Sequence, residues 1–203
     1  MYTYYHLTFP KKYNTFPELE INTQIKFGDE KNPFFSYLYQ NDELIQLDVS
    51  GQIKLLHFSN YFDNWADLRN VVNITDLDHL FPYLNSKFNN QFILNRELIL
   101  ENVRLQHFPH MPSRMKCLWV TSNIEECNTW YNFLHQDTGM KIVNLESEIE
   151  AHKVDGNLLP LVEDPLEEKE RKAHLYWSGE MSESPMIEYL FVGTATVKSI
   201  RDL

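Results

Sequence analysis

The stretch that most constrains this chain is Pro112-Ser113-Arg114-Met115-Lys116-Cys117-Leu118-Trp119-Val120-Thr121-Ser122-Asn123-Ile124-Glu125-Glu126, in which a β-favouring run feeds straight into a helix start. Residues 117–121 are apolar and β-prone. Ser122 with Glu125 three residues on is a capping-box pattern, in which hydroxyl and carboxylate each satisfy an orphan backbone N–H. Ile124, Cys127, Tyr131 and Leu134 then recur at helical spacing, which predicts a helix through about His135 with one buried face. Such a junction presents N–H groups and the positive end of a helix dipole, and Arg114 stands just upstream. An anionic ligand is one use of that arrangement; ordinary α/β packing beside a solvated arginine is the other.

Around this junction the chain alternates strand and helix signals. Residues 4–9 read as an opening strand that places His6 and Thr8 on one face, halted by Pro10 and a polar run over 11–14. Residues 21–27 read as a short second strand ending at Gly28, and Asp29-Glu30-Lys31-Asn32-Pro33 as loop. From Phe34 to Trp65 the pattern is mixed and aromatic and no element is assigned. Thr75 and Asp76 suit a helix cap, Pro82 a break or kink, and Ser86 the start of a longer helix. In that helix Leu84, Phe88, Phe92, Ile99 and Val103 form the apolar stripe, while Arg96, Glu97, Glu101 and Arg104 mostly face elsewhere. Pro109 ends the helix near Gln106.

Beyond the junction helix, Gly139 is a stop and residues 140–145 a further strand, completing strand-helix-strand, with an acidic loop after it. Asp164 as cap and Pro165 at the first helical position open another helix, with Glu167 and Glu168 in its first turn and Arg171 and Lys172 later. It carries Ala173, Tyr176 and Trp177 inward before Gly179 ends it. Residues 188–192 and 194–200 are two β-favouring runs about Gly193, read as a hairpin, a bulged strand or a bent one. This order describes an α+β chain with strands at both ends, folded as a single domain over residues 1–203.

Composition narrows the function. A length of 203 residues with 43% apolar and 14% aromatic residues supports one substantial core. Only 6 glycines are present, and neither GxGxxG nor GxxxxGK[ST] occurs, which disfavours a Rossmann or P-loop phosphate site. A net charge of −11 argues against sequence-independent binding of duplex DNA, although a local basic groove is compatible with it. Two cysteines, Cys117 and Cys127, without a secretory leader read as reduced core thiols, so a soluble cytoplasmic protein is expected. No apolar run approaches a membrane span. His107 and His110 form an HxxH in an irregular link, where the spacing fixes no common face, and no metal site is assigned. No Ser/His/Asp or Cys/His motif has a recognisable context.

The run Glu101-Asn102-Val103-Arg104 through His107-Phe108-Pro109, then Pro112-Ser113-Arg114 and Cys117-Leu118, resembles an uncharacterised bacterial and phage domain family that combines E-x-V-R, FP and PSR signals. Tyr5-His6-Leu7-Thr8 and Tyr176-Trp177-Ser178-Gly179 are similar to that family too. More remotely the order resembles the ADP-ribosyltransferase fold, a mixed β core with flanking helices. There a first-strand H-x-T element, a central strand followed by a helix, and a glutamate opening a late strand surround NAD.

That resemblance implies an NAD-dependent transferase that moves ADP-ribose to an unidentified protein or nucleic-acid acceptor. His6 and Thr8 would contact the nicotinamide-side ribose and carboxamide, Arg114 the pyrophosphate and Glu188 the ribose 2′-hydroxyl, with Glu188 and His6 the catalytic pair, Ser113 a further cofactor-binding residue, and Trp119 or Trp177 a candidate to stack on nicotinamide. Leu118-Trp119 stands where many such transferases place a tyrosine, and Met186 where arginine-directed ones carry a second glutamate, so arginine-directed transfer is not expected. A non-catalytic acidic inhibitor of the same fold that binds a host protein, NAD hydrolysis, and RNA 2′-phosphate removal are the alternatives. A homodimer is compatible with the sequence.

Overall fold

The computed structural model describes residues 1–8, 19–40, 44–49, 52–57, 74–134 and 139–202. The chain divides into two compact units, Met1–Tyr37 with Leu94–Leu203 and Leu38–Ile93. Pro10, the polar run over 11–14, Trp65 and His135 lie outside the described residues.

The larger unit is built on two antiparallel sheets. Strands β1 (Tyr2–Thr8), β2 (Gln24–Phe27), β6 (Lys141–Ser147) and β9 (Gly193–Asp202) form one, in the order β1-β6-β9-β2. Strands β5 (Leu118–Val120), β7 (His152–Asp155) and β8 (Ile187–Phe191) form the other, in the order β5-β8-β7. The two touch where Tyr5 and Thr121 exchange backbone hydrogen bonds of 2.9 and 2.8 Å. They are joined covalently where β8 bends into β9. The two closing β runs are therefore one bent path shared between sheets, and not a hairpin. Gly193 sits at the bend with φ 131°, a conformation that side chains rarely adopt, and a Cβ there would collide with Ile149 Cδ1.

Alternation along the strands sorts the apolar residues into two cores. Tyr4, Leu118, Val120, Val143, Leu145, Phe191, Ala195 and Val197 fill the first. Leu100, Val103, Cys117, Val154, Ala173, Tyr176, Trp177 and Leu190 fill the second. Successive residues of β8 thus point into different cores, Phe191 into the first and Leu190 into the second, because the side-chain period of a strand is two.

Four α-helices are described: α1 (Pro33–Gln40), α2 (Ile74–His107), α3 (Ile124–Phe133) and α4 (Leu166–Ser178). None is long and apolar enough to cross a membrane. Pro82 does not break α2, which runs unbroken for 34 residues; the proline removes one N–H, and the flanking turns keep the helix continuous. Nor does Ser86 start a helix. The buried face of α2 also differs from the expected stripe: Phe88 and Phe92 are exposed, whereas Leu100 and Glu97 are fully buried.

The caps shift as well. In α3 Asn123, not Ser122, is the cap, its side chain accepting from Glu126 N at 2.8 Å, while the Glu126 carboxylate accepts from Ser122 N at 3.0 Å. Asp164 does not cap α4; its carboxylate accepts instead from Leu161 N and Lys172 Nζ, each at 2.7 Å. Ala173, Tyr176 and Trp177 do face inward, and Gly179 ends the helix in the left-handed conformation at φ 80°. The acidic loop expected after β6 contains β7 and a short 3-10 turn, Gly156–Leu158. Residues 34–65, unassigned from sequence, contribute α1 and, in the smaller unit, the hairpin of β3 (Leu44–Val49) and β4 (Gln52–His57).

The two glycines set a contrast that urea denaturation can measure. Gly193→Ala adds a clash to a disallowed φ and should cost about 2–4 kcal/mol. Gly179→Ala meets nothing within 4 Å and should cost only about 1 kcal/mol for its left-handed backbone.

Candidate functional site

The chemistry of the larger unit gathers around Arg114. The chain leaves α2 and turns through residues 108–117, a path fixed by polar contacts from three sides. Arg104 pairs with Glu101 through two bonds of 2.9 and 2.8 Å and donates to the carbonyls of Met111 (2.9 Å) and Pro109 (3.3 Å). Ser113 Oγ donates to Glu101 Oε2 at 3.0 Å. From the opposite side Asn32 Nδ2 donates to the carbonyls of Arg114 (3.0 Å) and Cys117 (2.9 Å), while Asn32 Oδ1 accepts from Phe35 N and so begins α1. The residues that carry the E-x-V-R, FP and PSR resemblance are thus one interlocked corner, and Ser113 belongs to its scaffold.

The product of that corner is a buried guanidinium. Arg114 Nε donates to Glu97 Oε2 at 2.8 Å, and Nη1 engages both Glu188 Oε1 and the Tyr176 hydroxyl. Tyr176 in turn donates to Glu188 Oε1 at 2.7 Å. Arg96, at the partly exposed rim, donates to Glu97 Oε1 at 2.9 and 3.1 Å. Burial works to raise the Glu97 carboxyl, but the guanidinium groups of Arg114 and Arg96 outweigh it and hold it below its ordinary range. Burial pushes the Tyr176 hydroxyl well above its usual value, and Arg114 stays charged between its carboxylates although burial alone would lower it. The two carboxylates and two guanidiniums balance. Removing one partner of such a set strands a buried charge, at a typical cost of about 3–5 kcal/mol.

These placements decide how the expected residues meet. Arg114 and Glu188 pair directly, and Trp119 lies beside them, with the Arg114 guanidinium 5.5 Å from its ring centroid. Trp119 packs edge-on against Phe34 at 5.5 Å, and its Nε1 is buried with no partner among the described residues. His6 is elsewhere. It lies cross-strand from Val143, on the side of β1 that sends Tyr4 into the first core, whereas Glu188 bonds Tyr176 of the second. Its Nδ1 donates to the Trp119 carbonyl at 2.9 Å. Thr8 is half-buried at the end of β1, opposite Lys141. The structure therefore brings Arg114, Trp119 and Glu188 together, with Ser113 beside Arg114 in the turn; His6 reaches this group only through the Trp119 main chain, and Thr8 stands at the end of β1.

The solvated arginine expected at the junction is not found. Arg114 turns away from solvent to the two carboxylates, while at the start of α3 Asn123 accepts from Glu126 N and the Glu126 carboxylate accepts from Ser122 N, just before the helix. Glu97 and Arg104, expected to face away from the core, are buried. Helical phase carried that information: Glu97, Leu100, Glu101 and Arg104 recur at i, i+3, i+4 and i+7, so the buried face of α2 carries charge. Asn32 also had a signal, since Asn-Pro is a cap followed by a first-turn proline.

Asp155 had none. It is fully buried and gathers the segment that leads into β8, accepting from Ser182 N (2.8 Å), Ser182 Oγ (2.6 Å), Met186 N (2.9 Å) and Asn157 N (2.9 Å). Burial works to raise its carboxyl, but the Ser182 hydroxyl and these N–H groups hold it below its ordinary range. The Cys117 thiol is pushed up by burial and stays protonated, which removes it as a nucleophile. Among the described residues no group of three or more His, Cys, Asp or Glu is placed to share a metal ion; His107 packs against His174, ring centroids 4.4 Å apart.

Two measurements follow. Burial lowers the His6 imidazole from 6.5 to about 4, although its bond to the Trp119 carbonyl opposes this. The unfolded chain therefore takes up a proton that the folded one refuses. Stability should fall as pH drops from 6.5 toward 4, by about 3 kcal/mol from this residue, and His6→Gln should flatten that window in pH-dependent melting. The depressed Glu97 and Asp155 carboxyls act in the same sense at lower pH, below their ordinary values. Separately, Asp155→Asn should cost about 3 kcal/mol in denaturant titration, because an amide cannot accept all four bonds.

No curated protein matches the chain. A family model does, over residues 4–202, nearly the whole length, and the chain belongs to the family described as Protein of unknown function (DUF2441).

Proposed function

We propose that the chain is an NAD-dependent ADP-ribosyltransferase with an ADP-ribosyltransferase-like core, in which Glu188 is the carboxylate at the reacting ribose. The observation that carries this reading is the way Glu188 is held. Arg114 and Tyr176 both engage Oε1, and among the described residues no hydrogen-bond donor reaches Oε2. A carboxylate anchored through one oxygen can accept a ribose hydroxyl through the other without reorganising.

The chemistry suits that arrangement. The bond from nicotinamide nitrogen to ribose C1′ breaks, the pair leaves with neutral nicotinamide, and C1′ becomes oxocarbenium-like before an acceptor nucleophile supplies a new pair and releases its proton. A fixed negative charge beside C1′ stabilises that transition state more than the substrate. Further support comes from the order of elements: the His6-Leu7-Thr8 strand, β5 leading into α3, and Glu188 as the second residue of β8. The reading gives His6 a supporting part, through the Trp119 main chain, and leaves the acceptor unidentified.

A second reading is favoured by the charge balance of the Arg96–Glu97–Arg114–Glu188 set together with the net charge of −11. In it the set is architectural, and the chain is a non-catalytic acidic module that binds another protein.

Labelled NAD incubated with cell lysate and the chain, beside Glu188→Gln, separates the two. The transferase should release nicotinamide and transfer label, with the variant slower by about 10²-fold or more while remaining folded. Millimolar NAD should also raise the melting temperature of the wild type. A folded wild type that neither binds nor consumes NAD would decide for the second reading.

A further inference from the structure

We infer that Arg114 is a positioning residue: clamped by Glu97 of α2, it fixes the carboxylate of Glu188 and does not bind the pyrophosphate of the dinucleotide. The inference rests on the NAD reading and changes the task of one residue within it.

The guanidinium has no edge to offer a phosphate. Nε donates to Glu97 Oε2 at 2.8 Å, Nη2 reaches Glu97 Oε1 at 3.5 Å, and Nη1 is committed to Glu188 Oε1 and the Tyr176 hydroxyl. Its carbon lies 5.5 Å from the Trp119 ring centroid and 5.2 Å from that of Tyr176, so aromatic rings flank it as well. Its side chain is only 5% exposed. A phosphate could reach it only by displacing Glu97 or Glu188, leaving a carboxylate buried without its cation. The same contacts suit a clamp. Glu97 takes Nε, which orients the plane of the fork, and the far edge then meets Glu188 at a set angle. Tyr176 adds a hydroxyl to the same Oε1 at 2.7 Å, so the carboxylate is held by two groups from different elements.

The two tasks separate in kinetics, because a group that binds the pyrophosphate contributes to ground-state affinity and a group that positions Glu188 contributes to turnover. The 203-residue chain, Arg114→Lys and Tyr176→Phe would be compared for nicotinamide release from NAD and for binding of ADP, which carries the pyrophosphate without the reacting centre. Arg114→Lys keeps the charge but loses the fork; it should lower kcat on the order of 10²-fold and leave the ADP Kd within about twofold. Tyr176→Phe removes a single hydroxyl; it should lower kcat about tenfold with ADP binding unchanged. A tenfold or greater loss of ADP affinity in Arg114→Lys with kcat retained would overturn the inference and leave the NAD reading intact. Undiminished kcat in both folded variants would overturn it too. A folded wild type that neither binds ADP nor consumes NAD would overturn the reading and the inference together.

Discussion

A guanidinium buried between two carboxylates is the interaction on which the larger unit depends. Desolvating a charge is costly, and only close, well-oriented counter-charges offset that cost. Arg114 therefore dictates its surroundings: Glu97 from α2, Glu188 from β8 and Tyr176 from α4 must all arrive within hydrogen-bonding distance. Three elements far apart in sequence are fixed in mutual register by one side chain. An apolar core of the same volume would tolerate small slips that this set does not, because each slip would strand a charge.

The surrounding polar framework serves the same end. Asn32 and the Glu101–Arg104 pair hold the turn from which Arg114 projects, and Asp155 gathers the segment that delivers Glu188. These side chains act largely on backbone groups. They set the directions in which the two charged side chains leave the main chain, so the site is built from the backbone outward. Trp177, buried in the second core, donates to the Leu100 carbonyl at 2.8 Å and ties α4 to α2 beside the network.

The bend at Gly193 has an equally specific consequence. By passing the chain from one sheet to the other, it lets consecutive strands border different cores while β8 sends alternate residues into each. His6 and Glu188 then stand on strands separated by β5 and face different interiors. Here the linear pattern misled: a histidine on the first strand and a glutamate on a late one can be read as partners across a cleft, yet strand alternation and the split between sheets send them apart. Charged positions on α2 misled in the same way, since an apolar stripe is drawn by counting apolar residues, and Glu97 is buried because of a partner 17 positions away.

What the amino-acid order determined by itself was local. The start and direction of α3, the inward face of α4, its end at Gly179 and most strand positions follow from side-chain period, cap chemistry and the freedom of glycine, which act over a few residues. Tertiary structure alone decided which strands share a sheet, that Pro82 lies inside a continuous helix, and that Arg114 meets Glu97 and Glu188 away from solvent. Those outcomes depend on the balance between desolvation and pairing, and that balance has no value until distant segments are brought together.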